Sequence, residues 1–552
     1  MMLTASSSTK EVRTNRRKFL KASGLAAVAS KGLGAAANAL GVNPAARTGS
    51  GGARVTVVMD EPAGQINRNV LGQFAEHLGA CVYGGMWVGP KSSIPNTDGL
   101  RNDTIAALKR IHAPIIRWPG GCFADLYHWR DGIGPRSKRP TTWNLWWGRE
   151  EPNSFGTDEY MEYCRLCGAS PYICVNVGSG SVREAIDWME YCNSSHSTTI
   201  AQERLANGHA APYNVTYWSI GNENWGCGGA FTPENYADHY ARYVNYLSRA
   251  AGGAKVEFVA CGNEAGDWNQ RFFEALLRRP AGRGILRTVR QLSIHHYFHD
   301  GAAVNFSDQG YYSLLAQVGF LEDVLRRVIG AVDEFREPNA LAPGIALDEW
   351  GVWHPVPGQG PEALLQPNTL RDALLAATTL NSLCNFGSRV SMACIAQVFN
   401  VLQCMAFTRG ARMVLTPTYY VFDLFHPHMG ATALRTVVES SSYEVKEGHQ
   451  HVARKYLSAS ASLDESRKRA CLTLVNQHLT DAFDVEIELA AGAAVAGATV
   501  RQLTSASVRD QNTFDHPNGV VATDPKRVSV TGRRFTQTLP AHSLQSLLLE
   551  LE

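Results

Sequence analysis

The 552-residue sequence lacks the features that mark several specialised classes of protein. It has no charge surplus, because 52 basic residues face 50 acidic ones and the formal net charge is +2. Nucleic-acid-binding proteins usually carry a basic surplus or stripe, so we expect no nucleic-acid partner. No apolar run reaches the ~18 residues of a spanning helix, so we expect no membrane span. What remains is an ordinary globular composition, 45 % hydrophobic and long enough for two or more domains.

Zinc-binding patterns are also missing, although the chain has 12 cysteines. Cys164 and Cys167 form a lone C-x-x-C, and neither a second pair nor histidines follow at the spacing of a zinc site. We therefore interpret both as buried cysteines of a helix and predict no metal site. The sequence leaves open which cysteines, if any, are paired in disulfides.

The beginning of the chain differs from the rest and resembles a twin-arginine export signal. The segment "NRRKFLK" contains the paired Arg16 and Arg17, a weakly apolar stretch follows, and "AAANAL" has the small-residue spacing of a cleavage site. We predict that residues 1–39 direct export to the periplasm or the cell exterior and that residues 40–52 are a linker. The alternative is a disordered basic tail.

Short β-rich runs alternate with helix-like segments between residues 70 and 408. Several runs are apolar nearly throughout, which is typical of strands buried on both faces of a parallel sheet. Eight such strands alternating with helices predict an α/β fold, a (β/α)₈ TIM barrel. The predicted strands are 70–76, 114–119, 171–177, 215–223, 256–263, 291–297, 344–350 and 390–398.

After residue 408 the strand-like runs become short and are separated by Gly, Asp and Asn turns. This pattern predicts a C-terminal antiparallel β-sandwich, jelly-roll-like, over residues 409–552. The segment "ARVTVVMD", which begins at Ala53, precedes the barrel. We expect residues 53–69 to supply a strand to the sandwich.

Acidic side chains end three of the predicted barrel strands. Glu76 follows strand one, Glu223 ends strand four in "GNEN", and Glu349 ends strand seven in "LDEW". The C-terminal strand ends of such barrels build the active site. A helix cap would account for Glu223 alone, but not for Glu349 at the same end of another strand. Two carboxylates across one cleft suit glycoside hydrolysis, in which one donates a proton and the other attacks the sugar.

Other polar and aromatic side chains lie near the same strand ends. We predict that the charge of Arg117, at the end of strand two, keeps Glu349 ionised; the alternative is a structural ion pair. Four histidines could form a proton network or a metal cluster, but we favour structural or outer positions, because neighbours on a strand point to opposite faces. They are His128, His295, His296 and His299. Seven tryptophans either stack on sugar rings or pack in the core: Trp118, Trp129, Trp146, Trp147, Trp225, Trp350 and Trp353.

Six motifs in chain order resemble the α-L-arabinofuranosidases of glycoside hydrolase family 51, over roughly residues 54 to 550. This resemblance implies a retaining exo-hydrolase that releases terminal α-L-arabinofuranosyl groups from arabinan, arabinoxylan or arabino-oligosaccharides, without a metal or organic cofactor. It does not decide whether the protein forms a homo-oligomer, as relatives do. The motifs are "GQFAEHLGACVYGGMWVG", "IIRWPGGCFADLYHWRDGIGP", "NSFGTDEYMEYCRLCGASPYICVNVGSGSVREAIDWMEYCN", "WSIGNENWG", "ALDEWGVW" and "AQVFNVL".

The resemblance also implies roles for individual residues. Glu223 corresponds to the acid/base, Glu349 to the nucleophile, and Asn222 to the residue that holds the sugar 2-hydroxyl, a contact that tightens in the transition state. Glu76 corresponds to a residue that holds sugar hydroxyls, and Tyr297 and Gln397 correspond to residues that line the same subsite. Trp147 and Trp353 correspond to residues that border the pocket.

Two positions depart from the family pattern. Cys122 stands where relatives often have Asn, and because a thiol is a weak hydrogen-bonding partner, the sugar contact there is in doubt. We predict that Cys122 faces the sugar-binding subsite and is not in a disulfide. Gly351 also replaces a frequent Asn, which we expect to loosen the loop after Glu349.

Two other functions compete with this interpretation. One is another retaining glycosidase on the same barrel, such as a β-xylosidase or an endo-glucanase, because a fold does not fix the substrate. The other is a carbohydrate-binding protein that has lost catalysis. The presence of both Glu223 and Glu349 argues against the second alternative.

Overall fold

The computed structural model describes residues 52–552 apart from 300, 337–341, 359 and 448–449. The predicted export signal therefore lies outside the described residues, as does the predicted linker up to residue 51. No helix in this part of the chain has both the length and the apolar character that crossing a bilayer requires. Strands and helices are numbered separately along the chain below.

Eight parallel strands close into a barrel and follow one another around it in chain order. The last strand pairs with the first, so the predicted TIM barrel is confirmed. All eight predicted strands correspond to barrel strands, although the observed ones are mostly shorter. They are β2 (Gly72–Phe74), β5 (Ile115–Trp118), β8 (Ser170–Val175), β9 (Tyr217–Ile220), β10 (Glu257–Cys261), β11 (Val289–Phe298), β12 (Gly344–Val352) and β13 (Val390–Ala396).

Helices connect the barrel strands and follow the expected terminal signals. The helix at Pro233 has proline at its first position, and the Thr232 side chain accepts a hydrogen bond from the Asn235 N–H. The helices are α1 (Asn102–Arg110), α2 (Thr157–Cys167), α3 (Val182–Asn193), α4 (Thr199–Ala206), α5 (Pro233–Ala250), α6 (Trp268–Leu277), α7 (Gly282–Leu286), α8 (Asp308–Glu334), α9 (Leu370–Asn385) and α10 (Pro417–Phe425).

Short hairpins and 3₁₀ turns lie in the segments before, between and after the barrel strands. The hairpins pair β3 (Asn96–Thr97) with β4 (Leu100–Arg101), β6 (Thr142–Asn144) with β7 (Arg149–Glu151), and β14 (Ala406–Arg409) with β15 (Arg412–Leu415). The 3₁₀ turns are Arg68–Leu71, Cys122–Asp125, Trp129–Gly132, Arg136–Lys138, Gly360–Glu362, Gly387–Arg389 and His426–His428.

A nine-stranded, mostly antiparallel sheet forms the C-terminal domain, in the order β23-β22-β25-β20-β19-β16-β1-β21-β24. Strands from both ends of this single sheet share one apolar core, so the sheet curls over itself like a sandwich. Its strands are β1 (Ala53–Gln65), β16 (Thr432–Glu439), β19 (Leu457–Leu463), β20 (Arg469–Asn476), β21 (Phe483–Ala490), β22 (Val495–Leu503), β23 (Lys526–Val528), β24 (Arg534–Leu539) and β25 (Ser543–Leu551); β17 (Ser442–Glu447) and β18 (Gln450–Lys455) form a separate hairpin.

The first strand of the described chain is an inner strand of this C-terminal sheet. β1 pairs antiparallel with β16 and parallel with β21. Its side chains alternate as a half-exposed sheet requires: Val55 and Val57 are buried in the sheet core, whereas Thr56 between them is half-buried on the other face. β1 therefore ties the start of the described chain to strands more than three hundred residues away.

Shortening a buried β1 side chain is expected to destabilise the sheet. Val57→Ala removes methyl groups from the sheet core and should lower the free energy of unfolding by ~1.5–3 kcal/mol. Thr56→Ala, on the opposite face of the same strand, should change it by less than ~0.5 kcal/mol. Denaturant unfolding of both variants measures this difference. Equal effects would show that the inward face of β1 does not carry the packing.

Candidate active site

Glu223 and Glu349 face each other at the C-terminal end of the barrel. Glu223 follows β9, and Glu349 lies near the end of β12. One carboxyl oxygen of each lies within 4.8 Å of the other, and His295 Nδ1 lies 2.8 Å from Glu223 Oε1 and 3.5 Å from Glu349 Oε2. The Glu223 side chain is 19 % exposed and the Glu349 side chain 7 %. The two carboxylates predicted from the sequence therefore share one site but differ in access to solvent.

Arg117, at the end of β5, contacts both segments that carry the carboxylates. One guanidinium nitrogen donates to Glu349 Oε1 at 2.6 Å and another donates to Asn222 Oδ1 at 2.5 Å. Its Nε lies 3.4 Å from Asp348 Oδ2. Burial disfavours the charged guanidinium, but the charges of Asp348 and Glu349 outweigh it and hold the pKa of Arg117 well above its usual value. A permanent positive charge thus lies against Glu349.

The second oxygen of Glu349 is also held. The Tyr297 hydroxyl, on β11, donates to Glu349 Oε2 at 2.9 Å. The ring of Trp353 packs edge-on against Tyr297, with 5.2 Å between ring centroids. Because a separate donor holds each of its oxygens, Glu349 presents an oriented carboxylate, as a nucleophile requires. Gly351, which we expected to loosen the following loop, lies inside β12 opposite Tyr297.

Glu76 occupies the mouth of the barrel beside these groups. Its Oε1 accepts hydrogen bonds from the Phe123 N–H and from Trp147 Nε1, both at 3.0 Å, and its Oε2 accepts one from Gln397 Nε2 at 3.1 Å. Burial and the charge of Glu349 raise the pKa of Glu76 to about 7, although its three donors act in the opposite direction. The other amide atom, Gln397 Oε1, is buried and has no hydrogen-bond partner among the described residues.

Two glycines let the loop after β5 approach these carboxylates. A Cβ added at Gly120 would lie 2.6 Å from Glu76 Cγ, and one added at Gly121 would lie 3.0 Å from Glu349 Oε1. Larger residues at either position would push the carboxylates out of place. The "PGG" sequence is therefore a requirement of the site and not only a turn signal.

Glu223 sits in a strained backbone conformation and is bound to a histidine. Its φ angle is +40°, a left-handed conformation that is uncommon for a residue with a side chain. Its Oε1 accepts a hydrogen bond from His295 Nδ1 at 2.8 Å. Burial lowers the pKa of His295, but the Glu349 charge and the bonds to Asp348 and Glu223 outweigh it and raise it to about 10. His295 is therefore an imidazolium at neutral pH.

Asp125 holds the loop that carries Glu223. Its Oδ2 accepts from the Asn222 N–H at 2.8 Å, and its Oδ1 accepts from the N–H groups of Val177 and Gly178 at 2.6 and 2.7 Å. Burial raises the pKa of Asp125 to about 7, while these N–H donors favour the ionised form. One buried carboxylate thus connects the loops that follow β5, β8 and β9.

The prediction that Cys122 is a free thiol is wrong. Cys122 forms a disulfide with Cys227, and their Cα atoms are 5.5 Å apart. Both sulfur atoms do face the site: Cys227 Sγ lies 3.3 Å and Cys122 Sγ 4.0 Å from Glu223 Oε2. Cys122 therefore lies next to the acid/base candidate, but it cannot act as a thiol donor to a sugar while it is oxidised. The C-x-x-C cysteines, Cys164 and Cys167, are buried and unpaired on α2.

Sequence analysis missed His295, Asp125, Asp348 and Cys227 as parts of the site. The neighbouring histidines do face opposite ways, because His296 points away from the site and contacts Glu264 at 2.6 Å. His295 points into the site, where it contacts Glu223. His128 pairs with Glu184 and His299 with the Trp353 carbonyl, both away from the carboxylates. Among the seven tryptophans, Trp118, Trp129 and Trp350 are core residues, whereas Trp146, Trp147, Trp225 and Trp353 remain partly exposed.

Two groups of side chains bring three ligand atoms close enough for a metal ion. They are Glu223, His295 and Glu349, and Cys122, Glu223 and Cys227. In the first group, the pKa of His295 is raised to about 10, so a metal ion would have to displace a proton from His295 in order to bind there. In the second group, the sulfur atoms are joined in a disulfide and carry no thiolate charge.

Several known proteins that are similar to this chain are α-L-arabinofuranosidases. The family model of the α-L-arabinofuranosidase 1 domain matches residues 107–309, and that of the C-terminal domain matches residues 348–543. The intracellular exo-α-L-arabinofuranosidase of Bacteroides ovatus is 38 % identical over 508 residues, covering 90 % of this chain and 96 % of that protein. The crystal structure of the GH51 arabinofuranosidase from Xanthomonas axonopodis pv. citri has a TM-score of 0.82 and 35 % identity, covering 90 % of this chain and all of that one. This chain belongs to the α-L-arabinofuranosidases of glycoside hydrolase family 51.

A second solved structure agrees with this assignment. The α-L-arabinofuranosidase from Thermotoga maritima, in complex with arabinose, is 33 % identical with a TM-score of 0.79, and covers 90 % of this chain. Our arabinofuranosidase is thus a hydrolytic enzyme that releases arabinofuranosyl residues, and the predicted family, fold and reaction are confirmed. These relatives do not favour the alternatives, a β-xylosidase, an endo-glucanase or an inactive binding protein.

The predicted export of this arabinofuranosidase is wrong. The Bacteroides ovatus relative, which matches most of the chain, is named an intracellular enzyme. The twin-arginine pattern on which the prediction rested, with Arg16 and Arg17, lies outside the described residues. A short basic motif is weaker evidence for the location of a protein than a match to a relative along most of the chain.

Replacing Arg117 in the arabinofuranosidase is expected to impair catalysis. In Arg117→Lys, a single ammonium cannot bond Glu349 and Asn222 in the geometry of the guanidinium fork, and kcat should fall by about 10²-fold. Arg389→Lys is the control, because Arg389 also forms two hydrogen bonds to a carboxylate, that of Asp333, but on a partly exposed surface. Steady-state kinetics of both variants measure the difference. An unchanged kcat in Arg117→Lys would mean that Arg117 is only a structural ion pair.

The imidazolium of His295 should make stability depend on pH. Because the pKa of His295 rises from 6.5 to about 10 on folding, its protonated form stabilises the fold fully below pH 6.5, and this contribution is lost as the pH rises through 10. His295→Gln removes it. The difference in unfolding free energy between wild type and His295→Gln should therefore be largest at pH 6 and smallest at pH 10, in urea titrations at several pH values. A gap that stays constant or grows with pH would contradict a raised pKa.

Proposed function

We propose that this arabinofuranosidase is a retaining, exo-acting enzyme that removes terminal α-L-arabinofuranosyl groups by double displacement. The observation that carries the proposal is the separation of the two carboxyl groups, whose nearest oxygens lie within 4.8 Å of each other. Retaining glycosidases have carboxyl groups ~5–5.5 Å apart, whereas inverting enzymes need ~6.5–9.5 Å to admit a water molecule between base and sugar. The short separation therefore supports direct attack on the sugar.

In the first step, Glu349 attacks the anomeric carbon while Glu223 donates its proton to the leaving oxygen. The glycosidic bond breaks, a bond between Glu349 and the sugar forms, and the alcohol departs with the proton of Glu223. Arg117 and Tyr297 orient the attacking carboxylate through its two oxygens. In the second step, Glu223 takes a proton from water, which attacks the same carbon from the opposite side and releases arabinose and Glu349.

The arabinofuranosyl ring is bound by the polar groups around the carboxylates. Asn222 accepts from Arg117 through Oδ1, which orients its amide for the sugar 2-hydroxyl. The unpartnered Gln397 Oε1 is an acceptor that a sugar hydroxyl would satisfy, and Glu76 lies beside it. Trp147, bound to Glu76, and Trp353, packed on Tyr297, border the pocket with apolar surface.

The substrate class follows from the relatives in coarse terms. The Bacteroides ovatus protein is named an exo-enzyme, and the Thermotoga maritima structure contains arabinose. Arabinan, arabinoxylan and arabino-oligosaccharides all present terminal arabinofuranosyl groups to such a site. Assembly into a homo-oligomer and the absence of a nucleic-acid partner stay predictions.

The two carboxylates should respond differently to removal. Glu223→Ala should form the sugar–Glu349 intermediate from an activated aryl α-L-arabinofuranoside and then stall, because the general base is gone; loss of a general acid or base typically costs ~10²–10⁴-fold. Added azide should speed turnover and give an arabinosyl azide of retained configuration. Glu349→Ala should be nearly inactive on every substrate, and any azide product should be inverted. Kinetics and NMR of the azide product measure these outcomes.

A carboxylate far from the site gives the matched control. Glu257 lies at the start of β10, the opposite end of the barrel strands, where it pairs with Lys255 at 3.0 Å. Glu257→Ala should keep nearly wild-type kcat. The reverse pattern between Glu223→Ala and Glu349→Ala would mean that their roles are exchanged, and near-normal activity of both would disprove the site.

A further inference from the structure

The disulfide lies against the carboxylate that we propose as the acid/base. Cys122 comes from the 3₁₀ turn after β5, and Cys227 from the loop after β9 that also carries Glu223. Their sulfur atoms are 4.0 and 3.3 Å from the same oxygen, Glu223 Oε2. A disulfide sulfur is a poor ligand and a poor hydrogen-bond partner, so in the oxidised enzyme these sulfurs only pack against Glu223. Two thiolates in the same place would have different chemistry.

Reduction would leave the two sulfur atoms close together. Asp125, in the same turn as Cys122, accepts a hydrogen bond from the Asn222 N–H at 2.8 Å. The same carboxylate oxygen also lies 3.4 Å from Asn224 Nδ2 in the Cys227 loop. These contacts join the two loops independently of the disulfide. The site for a ligand between the sulfurs is therefore held by the fold when the S–S bond is open.

This cysteine pair differs from the other described cysteines in its accessibility. Cys122, Cys227 and Glu223 are all partly exposed at the mouth of the barrel. The ten unpaired cysteines of the described chain are all buried. Partly exposed thiols react and bind metals, whereas buried thiols are inert. A reductant or a metal ion therefore has selective access to the pair beside Glu223.

The distances match the coordination of a thiophilic divalent cation. A tetrahedral Zn²⁺ with Zn–S bonds of ~2.3 Å and Zn–O bonds of ~2.1 Å places its sulfur and oxygen ligands ~3.6 Å apart and its two sulfurs ~3.8 Å apart. The present sulfur–oxygen distances of 3.3 and 4.0 Å bracket the first value. Only the sulfurs would have to separate. The Cα atoms, 5.5 Å apart, leave room for this through side-chain rotation.

The surrounding charge also favours such a complex. Two thiolates and one carboxylate carry three negative charges against the two positive charges of Zn²⁺. The remaining negative charge would lie beside His295, whose Nδ1 is 2.8 Å from the other oxygen of Glu223. Hard cations such as Mg²⁺ prefer oxygen ligands and gain little from the two sulfurs.

We propose that reduction of the Cys122–Cys227 disulfide creates an inhibitory site for a thiophilic divalent cation of the Zn²⁺ class, with the two Sγ atoms and Glu223 Oε2 as ligands. In the reduction, a dithiol supplies two electrons and two protons to the S–S bond and becomes a disulfide itself. Zn²⁺ then displaces the two thiol protons. The inhibition rests on the proposed role of Glu223, because a carboxylate bound to Zn²⁺ can neither donate nor accept the catalytic proton.

The test compares the oxidised and the reduced full-length enzyme. Each form is freed of dithiothreitol by anaerobic desalting and titrated with Zn²⁺ by calorimetry and with Cd²⁺ by the ultraviolet absorbance of cadmium–thiolate bonds. The reduced form should bind one ion per chain. Its activity on an arabino-oligosaccharide should fall at least ten-fold when the ion binds, and should recover when EDTA is added. The oxidised form should bind none at this site and keep its activity, and Mg²⁺ should affect neither form. Equal Zn²⁺ binding by the two forms would overturn the proposal.

Two controls place the ion at this pair. Cys122→Ser combined with Cys227→Ser should abolish reduction-dependent binding, whereas Cys164→Ala combined with Cys167→Ala, in the buried C-x-x-C, should preserve it. If the first double variant does not fold, alkylation of the reduced wild type with iodoacetamide tests the same point: it should modify two cysteines and abolish Zn²⁺ binding. Persistent binding after either treatment would refute the site. If the reduced enzyme binds Zn²⁺ but keeps its activity, both the inhibition and the role of Glu223 are refuted. If the enzyme shows no arabinofuranosidase activity in either form but still binds Zn²⁺ after reduction, only the proposed function is refuted.

Discussion

The buried guanidinium of Arg117 is the interaction on which the rest of the site depends. The Arg117 side chain is 1 % exposed, and a charge buried to this extent is tolerated only when opposite charges lie against it. Asp348 and Glu349 on β12 supply these negative charges. The same group donates to Asn222 and so fixes the segment that precedes Glu223. Removing it would take from Asp348 and Glu349 a positive charge that His295 alone would then supply, and would break the link to the segment that carries Glu223. The alignment of Glu349 and Glu223, the proposed nucleophile and acid/base, thus depends on one charge placed among three strand ends.

The carboxylates outnumber the cations in this small volume. Arg117 and His295 face Asp348, Glu349, Glu223 and Glu76, and the pKa of Glu76 rises to about 7 because burial and Glu349 disfavour a further negative charge. In the proposed mechanism Glu223 is protonated when the sugar reacts, so Glu349 is the carboxylate whose negative charge favours the positive charge that develops on the sugar ring in glycoside hydrolysis.

Much of this arrangement could be predicted from the sequence because it depends on local patterns. Apolar strand runs predicted the barrel, and Glu at the ends of strands four and seven predicted facing carboxylates. The Cys122–Cys227 pair could not be derived in the same way, since its members are 105 residues apart and spacing does not determine pairing. The role of Asp125 could not be predicted for another reason. Its carboxylate binds backbone N–H groups, which leave no signature in the sequence. His295 was one of four candidates, and only the register of β11 distinguishes it.

The surroundings of the two carboxylates also fit the division of roles that we propose for them. Glu349 is held on a barrel strand by Arg117 and Tyr297, one on each oxygen, and is almost excluded from solvent. Glu223 follows a strand and is more exposed; one of its oxygens contacts His295, and the other has only sulfur contacts within the described part of the chain. A nucleophile has to keep one orientation and one charge, whereas an acid/base has to lose and regain a proton in each cycle. The weakly interacting sulfur face leaves one oxygen of Glu223 free to do so, and that freedom is also what makes this oxygen accessible to a competing ligand.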